Sequence, residues 1–430
     1  MGPPDQRRAN VLARLESGAG VGDVGRTALL LFHHMDVVQA DAVRWSAGPF
    51  SAELRDGYVY GRGALDMKTT GLLQALALIR LKSENVPLAR DVIWLGTADE
   101  EAGSVGMRWM IENHPDLFGQ VESALTEGDT IHAGGGGGEA PGAQRYWGVD
   151  VAEKVTAWLK LTARGKAGHG SVPDPPNSAV VRLVRALDRV GKHETPLVVL
   201  PAVASYYSAL AERFPDLPAD KLRDLATALR KDASFRASFL ADPARAATVR
   251  NTIAVTVLQG GPQTNVIPST AVAHLDCRLL PGQSPEEFLA TIRRVVDDPD
   301  VLVEPLAEPE GASSSSTDTP LYRAIESAGR TYAPGVPVVP TLLTSWTESS
   351  LLRPLGIHSY GFEPYALDDR ELSLSHGDDE RISVENVRQG LEILYAIVRE
   401  AAAAPPAGAA SPRAGSDRTA RPTRSVSHSP

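Results

Sequence analysis

The sequence predicts an α/β protein, in which a mainly parallel sheet is flanked by helices and a smaller α+β domain is inserted. Over residues 1–150, short apolar runs alternate with helix-like patterns, as in NVLARL, TALLLFHH and TTGLLQALALIRLKS. Strands that alternate with helices favour a parallel sheet covered on both faces. From VTAWLKLTARG onward the pattern is strand, helix, two strands, helix and a last strand at VLVEPL. That order is typical of a small α+β domain.

The predicted domain boundaries follow from these patterns. The larger domain occupies residues 1–150 and 308–403, and the inserted domain occupies residues 151–307. Within the insertion, residues 202–250 are charge-studded and helix-forming, as in DKLRDLATALRK, and predict an additional helical subdomain. Residues 404–430 are rich in Ala, Pro, Ser and Arg, a composition that predicts a disordered tail.

Composition favours a globular protein and excludes several classes of function. The 430 residues are 43% hydrophobic and 22% charged, enough to build a sizeable core. The formal charge of -10 argues against a nucleic-acid partner. The single cysteine, Cys277, excludes an intrachain disulfide framework and a Cys-based zinc site. Since no apolar stretch has membrane-spanning length and no signal-like segment opens the chain, we expect a cytoplasmic protein without a membrane partner.

Acids and histidines follow several of the predicted strands, at the edge where open α/β sheets build their sites. His34 and Asp36 end the apolar run in LLLFHHMDVV, and a spacing of two places both side chains on the same side of a strand. A carboxylate beside an imidazole can orient a metal-binding histidine. The alternative is an ordinary pair of loop residues, because His-x-Asp is common by chance.

Two further segments carry carboxylates in the same kind of position. Asp66 follows a Gly-rich turn and precedes a helix in GYVYGRGALDMK, where it could also be a helix N-cap. Asp99, Glu100 and Glu101 follow the next apolar strand, in WLGTADEEAG. Adjacent carboxylates repel one another, so cations would stabilise them. The alternative is a solvated acidic face, but successive side chains point in opposite directions, so one glutamate could bind metal and its neighbour face a water.

The last two candidate ligands are Glu127 in SALTEG and His376 in SLSHGDDE. Glu127 ends another predicted strand, and His376 lies in a loop before the final helix. Carboxylates and imidazoles without thiolates suit zinc, cobalt or manganese.

The sequence blocks resemble those of a known family in their order along the chain. HHMDVV, GRGALDMK, TADEEAGS, TEG, GHGSVP, GGPQTNVIP, DCRLLPG and SHGDDE are similar to blocks of the dizinc metallopeptidase family that contains aminoacylase, succinyl-diaminopimelate desuccinylase and carboxypeptidase S. The wording around GRGALDMK looks most like the carboxypeptidase S branch. The resemblance implies a zinc-peptidase catalytic domain with an inserted ferredoxin-like lid domain, through which two chains would form a homodimer.

The resemblance also implies a set of metal ligands for two zinc ions, with cobalt or manganese as alternatives. Asp66 would bridge the two ions. His34 and Glu127 would complete one site, and Glu101 and His376 would complete the other.

Further roles come from the same resemblance. Asp36 would support the metal-binding histidine, and Glu100 would be the general base. His169 and Asn265 would stabilise the negative oxygen of the tetrahedral intermediate, often in the partner subunit's site, and Arg278 would grip the substrate's free carboxylate. Without the resemblance, these last three are equally a strand-end residue, a turn former and a surface ion-pair partner.

The sequence departs from the family pattern in two places. His34 arrives early, which implies that the family's first helix and strand are missing from residues 1–150. In TSWTESS, Thr347 and Glu348 stand where the family has Thr-Asp, and the extra methylene could shift a loop near the substrate pocket.

The predicted function is metal-dependent hydrolysis of an amide bond next to a free carboxylate, in an N-acyl amino acid or a short peptide. Alternatives are a dipeptidase, an N-acyl amino acid synthase/hydrolase and an inactive binding homologue. The intact ligand set together with Glu100 argues against the inactive homologue, because a protein that only binds has no need for a base.

Overall fold

The computed structural model describes residues 8–17, 27–134, 144–309, 311 and 314–404. Apart from residue 404, the predicted tail therefore lies outside the described residues. Among the described residues, no helix combines the length and apolar character needed to cross a bilayer.

A seven-stranded sheet forms the centre of the molecule. Its spatial order is β1-β5-β2-β6-β16-β7-β15, and the strands are β1 Val11–Leu15, β2 Ala28–His34, β5 Val92–Thr97, β6 Val121–Ala133, β7 Gln144–Glu153, β15 Val338–Leu343 and β16 His358–Leu367. Strands β5, β2, β6 and β16 run parallel to one another, and β15 runs parallel to β7. Strand β1 pairs antiparallel with β5 at one edge. The predicted mostly parallel sheet is thus confirmed.

Helices cover both faces of this sheet. One face packs against α1 Lys68–Ser83, α11 Pro320–Tyr332 and α14 Val384–Ala402. The other face packs against α2 Val105–Asn113, α3 Pro115–Gly119 and the short α12 Ser349–Leu352. Every residue of β2 is buried, because the strand lies in the middle of this three-layer arrangement.

A second, antiparallel sheet follows the first part of the large sheet along the chain. Its strands are β8 Val155–Thr156, β9 Leu159–Arg164, β11 Thr252–Gln259, β13 Thr270–Leu279 and β14 Val301–Pro305. Two amphipathic helices, α4 Ala179–Lys192 and α10 Pro285–Val296, pack on it and share its separate hydrophobic core. Strand β11 is an edge strand of this sheet.

The predicted helical segment 202–250 contains five short helices. They are α5 Pro201–Ala209, α6 Ala219–Arg223, α7 Leu225–Lys231, α8 Ala233–Leu240 and α9 Pro243–Val249. Most of their buried residues belong to the hydrophobic cluster of the seven-stranded sheet, and α5 packs directly on β15. These helices therefore cover the far edge of the large sheet.

Short elements complete the fold. Strands β3 Glu53–Arg55, β4 Tyr58–Tyr60 and β17 Arg381–Ser383 form a three-stranded sheet, and β10 Gly168–His169 pairs with β12 Val266–Ile267. Helix α13 covers Asp369–Leu372, and 3₁₀ turns cover Ala42–Arg44, Pro175–Asn177, Ala211–Arg213 and Arg353–Leu355.

Candidate metal centre

The carboxyl ends of three neighbouring parallel strands converge on one acidic site. His34 is the last residue of β2, and Glu100 and Glu101 lie in the turn that follows β5. Glu127 lies inside β6 rather than at its end. The pairing of β6 with β16 is irregular at this point, between Thr126 and Asp129. Such an irregularity re-aims a side chain.

A glycine makes this irregularity possible. Gly128 has a φ of 155°, and a Cβ at this position would lie 2.5 Å from the Cα of Gly361. Any larger residue would push β6 and β16 apart beside Glu127. The TEG motif therefore needs its glycine for the close approach of two strands.

Asp66 lies between two histidines. Its Oδ1 is 2.9 Å from Nε2 of His34, and its Oδ2 is 2.8 Å from Nε2 of His376. Glu127 places an oxygen 3.4 Å from the same His34 nitrogen, and Glu101 places one 2.9 Å from the His376 nitrogen. The two oxygens of Asp66 thus belong to two different groups of ligand atoms.

These donors fit a transition metal. Three sets of ligand atoms each lie within 4.8 Å of one another: His34, Asp66 and Glu127; Asp66, Glu101 and His376; and His34, Glu100 and Glu101. Carboxylate and imidazole donors at such separations match the preferences of zinc, cobalt and manganese. The first two sets share only Asp66, so the donors can be divided between two ions.

Asp36 holds this site together through its backbone and its side chain. Its backbone oxygen is 3.1 Å from Nδ1 of His34, whereas its carboxylate oxygen is 3.6 Å away. The carboxylate accepts the backbone N–H groups of Glu100 and Glu101, at 3.1 and 3.2 Å. Asp36 therefore both orients His34 and fixes the turn that carries the two glutamates.

Asp99, the first of the three consecutive acids, is turned away from the centre. Its backbone has a φ of 58°, and its carboxylate pairs with the guanidinium of Arg8. A basic side chain near the start of the chain thus neutralises one acid of the cluster. Glu100 and Glu101 remain to face the cavity.

The electrostatics of the site reflect the burial of several carboxyl groups close together. Burial, together with the charge of Glu127, raises the pKa of Glu100 to about 9. Burial likewise raises the pKa of Glu101 and Glu127 above their ordinary values. Hydrogen bonding to Asp66 raises the pKa of His376 to about 9. A set of carboxylates that resists ionisation is one that bound cations would stabilise.

A cavity of about 380 Å³ opens over these residues. Besides the acids and His376, its walls include Thr130, Trp346, Thr347 and Glu363. The Thr347–Glu348 departure therefore lies at the cavity, since Thr347 forms part of its wall. The volume of the cavity falls within the range of small-molecule sites.

The three residues assigned to the lid by resemblance lie elsewhere. His169 and Asn265 are neighbours across the two-stranded sheet, because His169 pairs with Val266, and the His169 ring is hydrogen-bonded to Ser171. Arg278, on β13, donates to Asp276 and Thr156. None of the three lines the cavity within the described part of the chain.

A buried ion pair that sequence reasoning missed joins two of the candidate ligand loops. Arg62 and Glu380 lie 2.5 Å apart, with side chains 2% and 0% exposed. Glu380 accepts the backbone N–H groups of Leu65 and Asp66, at 2.7 and 3.1 Å. Arg62 donates to the backbone oxygen of His376 at 3.2 Å. Both residues lie inside the quoted motifs, but only the fold reveals that they meet.

Two buried glutamates lie near the centre, of which sequence analysis singled out Glu348 only as a departure from the family pattern and did not single out Glu363. Glu348 is 2% exposed and accepts a hydrogen bond of 2.7 Å from Thr97, at the end of β5. Burial raises its pKa to about 8. Glu363, on β16, accepts from Thr70, and burial raises its pKa well above the ordinary value. A glutamate in an otherwise apolar strand, as in SYGFEPYAL, is the signal that could have found Glu363.

The fold and this donor set together define an α/β protein with a candidate centre for metal ions. The sequence matches the family described as peptidase family M20/M25/M40 over residues 30–400. The chain belongs to this family, and it is a hydrolytic enzyme that acts on amide bonds.

Known relatives include both acylases and peptidases. The chain is 30% identical over 362 residues to the N-fatty-acyl-amino acid synthase/hydrolase PM20D1 of Xenopus tropicalis, covering 83% of this chain and 69% of the relative. It is 24% identical over 384 residues to aminoacylase-1 of Mus musculus, covering 88% and 81%. An M20 family metallo-carboxypeptidase from Sulfolobus solfataricus shares the fold with a TM-score of 0.65 at 18% identity, over 91% of this chain and 87% of the other.

Proposed function

We propose that this enzyme uses two metal ions to hydrolyse the amide bond of an N-acyl amino acid or a short peptide, next to the free carboxylate. The observation that carries the proposal is the position of Asp66, whose two carboxylate oxygens each face a different histidine, at 2.9 and 2.8 Å. A carboxylate with one oxygen toward each of two donor groups is suited to bridge two ions. His34 and Glu127 would complete one site, and Glu101 and His376 the other.

The chain's own residues support the chemistry of such a reaction. When bound, the metal ions supply a water of lowered pKa and polarise the scissile carbonyl. Glu100 lines the cavity and would accept the proton of the attacking water and return it to the leaving amine. Positive charge nearby would lower the raised pKa of Glu100 toward the range that a general base requires. Asp36 fixes Glu100 by accepting its backbone N–H.

We further propose that the lid residues act across a homodimer. His169, Asn265 and Arg278 would contact substrate in the partner subunit's site, as the family resemblance implies. Two observations support an interface on the small sheet: β11 is an edge strand, and it exposes Val255 and Leu258, with 48% and 61% of their surfaces accessible. Unpaired strand edges with apolar side chains are suited to pair with another chain.

Condensation of a fatty acid with an amino acid is a second candidate activity. A relative with 30% identity is named a synthase/hydrolase. The same site would catalyse both directions by microscopic reversibility, so the ratio of free acid, amino acid and conjugate would set the direction.

A substrate panel with defined metal content tests the proposal. We expect the zinc-reconstituted protein to contain close to two ions per chain and to hydrolyse N-acetyl-L-leucine, but not the corresponding N-methylamide, which lacks the free carboxylate. Glu100→Gln should keep the metal and lower kcat by about 10²–10⁴-fold. Glu112→Gln, on the exposed surface of α2, is the matched control. A metal content below one ion per chain, or equal hydrolysis of acid and methylamide, would contradict the proposal.

A further inference from the structure

A second and larger cavity adjoins the candidate metal centre. It has a volume of about 620 Å³, and its walls share Gly128 and Leu343 with the cavity that contains the candidate ligands. Gly128 directly follows Glu127 along the chain, so the two cavities meet beside a candidate ligand. A substrate held at the centre would therefore have this second cavity next to it.

Acids outnumber bases on the walls of the second cavity. Asp129, Asp216 and Asp242 line it, together with a single basic side chain of the described residues, Arg245. Arg245 lies 2.7 Å from Asp216 and 3.4 Å from Asp242, so two carboxylates share one guanidinium. Asp129 lies 2.6 Å from Nε2 of His132. The charged groups of the walls are thus predominantly negative.

A fourth acid of the second cavity, Asp150, has one oxygen without a partner. The residue is 2% exposed, and its Oδ1 accepts a hydrogen bond of 2.8 Å from Thr341. Its Oδ2 is buried and has no hydrogen-bond partner among the described residues. This oxygen lies beside Gly128, since a Cβ on that glycine would come within 2.8 Å of it. The unpaired oxygen is therefore directed to the place where the two cavities meet.

A positively charged ligand would satisfy this oxygen. Leaving a buried carboxyl oxygen unpaired costs free energy. Burial, together with the charge of Asp129, also raises the pKa of Asp150 well above its ordinary value. An ammonium group close to Asp129 and Asp150 would donate to the unpaired oxygen and favour the ionised carboxylate.

Aromatic rings complete the walls of the second cavity. Tyr146 lies on β7, Tyr206 and Tyr207 lie on α5, and Phe214 lies in the loop after that helix. The rings of Tyr146 and Tyr206 pack edge to face, with centroids 5.7 Å apart. The faces of aromatic rings attract cations. Walls of carboxylates and aromatic rings therefore suit an ammonium group better than an uncharged alkyl chain.

We propose that the second cavity binds a positively charged group on the acyl side of the substrate, namely a primary ammonium at the end of an aliphatic chain. The inference rests on the proposed amide hydrolysis. Such a substrate carries its free carboxylate on the amine side, and the acids of the cavity would repel that carboxylate. The acyl side would therefore enter past Gly128 and Leu343, and its ammonium would meet the unpaired oxygen of Asp150. The helical segment would then select substrates by the charge of their acyl group.

Two substrates that differ only in this charge test the inference. N-(6-aminohexanoyl)-L-leucine ends in an ammonium where N-heptanoyl-L-leucine of the same length ends in a methyl group. The readout is the ratio of kcat/KM for the first substrate to that for the second, in zinc-reconstituted protein at neutral pH. Asp150→Asn is the test variant, and Asp220→Asn, an exposed position of α6 that does not line the second cavity, is the matched control. Because both substrates react at the same centre, a general loss of activity cancels in the ratio.

We expect the wild-type enzyme to favour the ammonium substrate by on the order of tenfold, because hydrogen bonds to charged groups are the stronger ones. Asp150→Asn should lower the ratio about tenfold, and Asp220→Asn should leave it unchanged. Asp216→Asn, on the wall of the cavity, becomes the test variant if Asp150→Asn does not fold, and it should lower the ratio about threefold. A wild-type ratio of one or less, or the same ratio in the test variant and in Asp220→Asn, would overturn the inference, whereas hydrolysis of N-acetyl-L-leucine would leave the proposed function intact.

Binding of a probe that cannot be hydrolysed separates failure of the inference from failure of the proposed function. n-Hexylammonium and n-hexanol are titrated calorimetrically into the wild type, the test variant and Asp220→Asn, all in the zinc-reconstituted form. We expect n-hexylammonium to bind the wild type and Asp220→Asn at least about threefold tighter than the test variant, and to bind the wild type tighter than n-hexanol does. If N-acetyl-L-leucine is not hydrolysed, the proposed function fails and this measurement alone decides. n-Hexylammonium that binds no better than n-hexanol, or equally to all three proteins, overturns the inference.

Discussion

Removal of the charge on Glu380 should destabilise both the fold and the candidate metal centre. Its carboxylate is fully buried, pairs with Arg62 at 2.5 Å, and accepts the backbone N–H groups of Leu65 and Asp66. Glu380→Gln keeps the shape and an acceptor oxygen, but it leaves the guanidinium of Arg62 buried without a counter-charge. Breaking a buried pair in this way costs about 3–5 kcal/mol. That loss is a large share of the typical free energy of unfolding of a protein, which is roughly 5–15 kcal/mol.

Urea denaturation measures this loss, and the exposed ion pair between Arg80 and Glu392 supplies the control. The two side chains are 36% and 51% exposed, so Glu392→Gln should change the free energy of unfolding by less than about 1 kcal/mol. The double variant Arg62→Met, Glu380→Gln should regain part of the lost stability, because no unpaired charge remains buried. If Glu380→Gln costs no more than Glu392→Gln, the assignment of the buried pair as a structural link is wrong.

Metal affinity reports the same link independently of stability. Glu380 fixes the backbone of Asp66, and Arg62 binds the backbone oxygen of His376. Loss of an outer partner of a metal ligand typically lowers affinity 10–100-fold, roughly. We expect competition with a zinc chelator to show this weakening in Glu380→Gln and in the double variant. The recovery of stability in the double variant should not restore the affinity, because the backbone of Asp66 remains without its charged acceptor.

Three further predictions address other parts of the chain. Mixing His169→Ala protein with Glu100→Gln protein should restore some activity after subunit exchange, because a hybrid dimer would contain one site with both a working base and a working histidine. If a sample shown to have exchanged subunits stays inactive, His169 acts in its own chain's site or outside catalysis. Burial lowers the pKa of Lys154 to about 7, so between pH 7 and the ordinary lysine pKa of 10.5 only the unfolded chain binds this proton. In that range the free energy of unfolding should rise with pH by up to about 1.4 kcal/mol per unit more in the wild type than in Lys154→Met. Urea titrations at several pH values that gave parallel curves for the two proteins would refute this. Burial raises the pKa of the Cys277 thiol to about 12, so iodoacetamide should label it in urea but not in the folded protein, as mass spectrometry would show.

The strands that could be predicted from the sequence are those with continuous apolar runs. TALLLFHH became the fully buried strand β2, and DVIWLGT became β5. Strand β7, in QRYWGVDVAE, was not predicted because Asp150 and Glu153 interrupt its apolar pattern. Both acids are buried in the structure, where Thr341 donates to Asp150 and Arg353 pairs with Glu153. Such partners come from distant parts of the chain, so local patterning cannot anticipate them.

The placement of the helical segment shows a similar limit. Its charge pattern predicts helices, and residues 201–249 contain five of them. Their position on the large sheet depends on how Phe235, Phe239 and Tyr207 pack into its core. Amphipathic helices carry an apolar face without specifying its partner. The packing of α5 on β15 has no counterpart in any sequence motif.

At the candidate metal centre, the motif residues stand out in the sequence, whereas the contacts that position them do not. His34, Asp66 and Glu127 occur in recognisable blocks, and the structure brings their ligand atoms within 4.8 Å of one another. Glu348 reaches the same region from a position 251 residues after its partner Thr97. Glu380 lies 314 residues after its partner Asp66. Side chains that act through hydrogen bonds to distant segments have no local spacing rule.

The number of acids around this cavity has a physical consequence for the enzyme as a whole. Glu100 and Glu348 have pKa values raised to about 9 and 8, and burial also raises the pKa of Glu127 and Glu363. Burying neutral carboxyl groups lowers the stability of the folded chain, and ionising them while they are buried would lower it further. Cations bound between Asp66 and its neighbours would relieve both costs, because they favour the charged forms that bind metal and accept protons. The same arrangement that makes the folded chain costly without metal would therefore prepare it to bind metal tightly and to use Glu100 as a base.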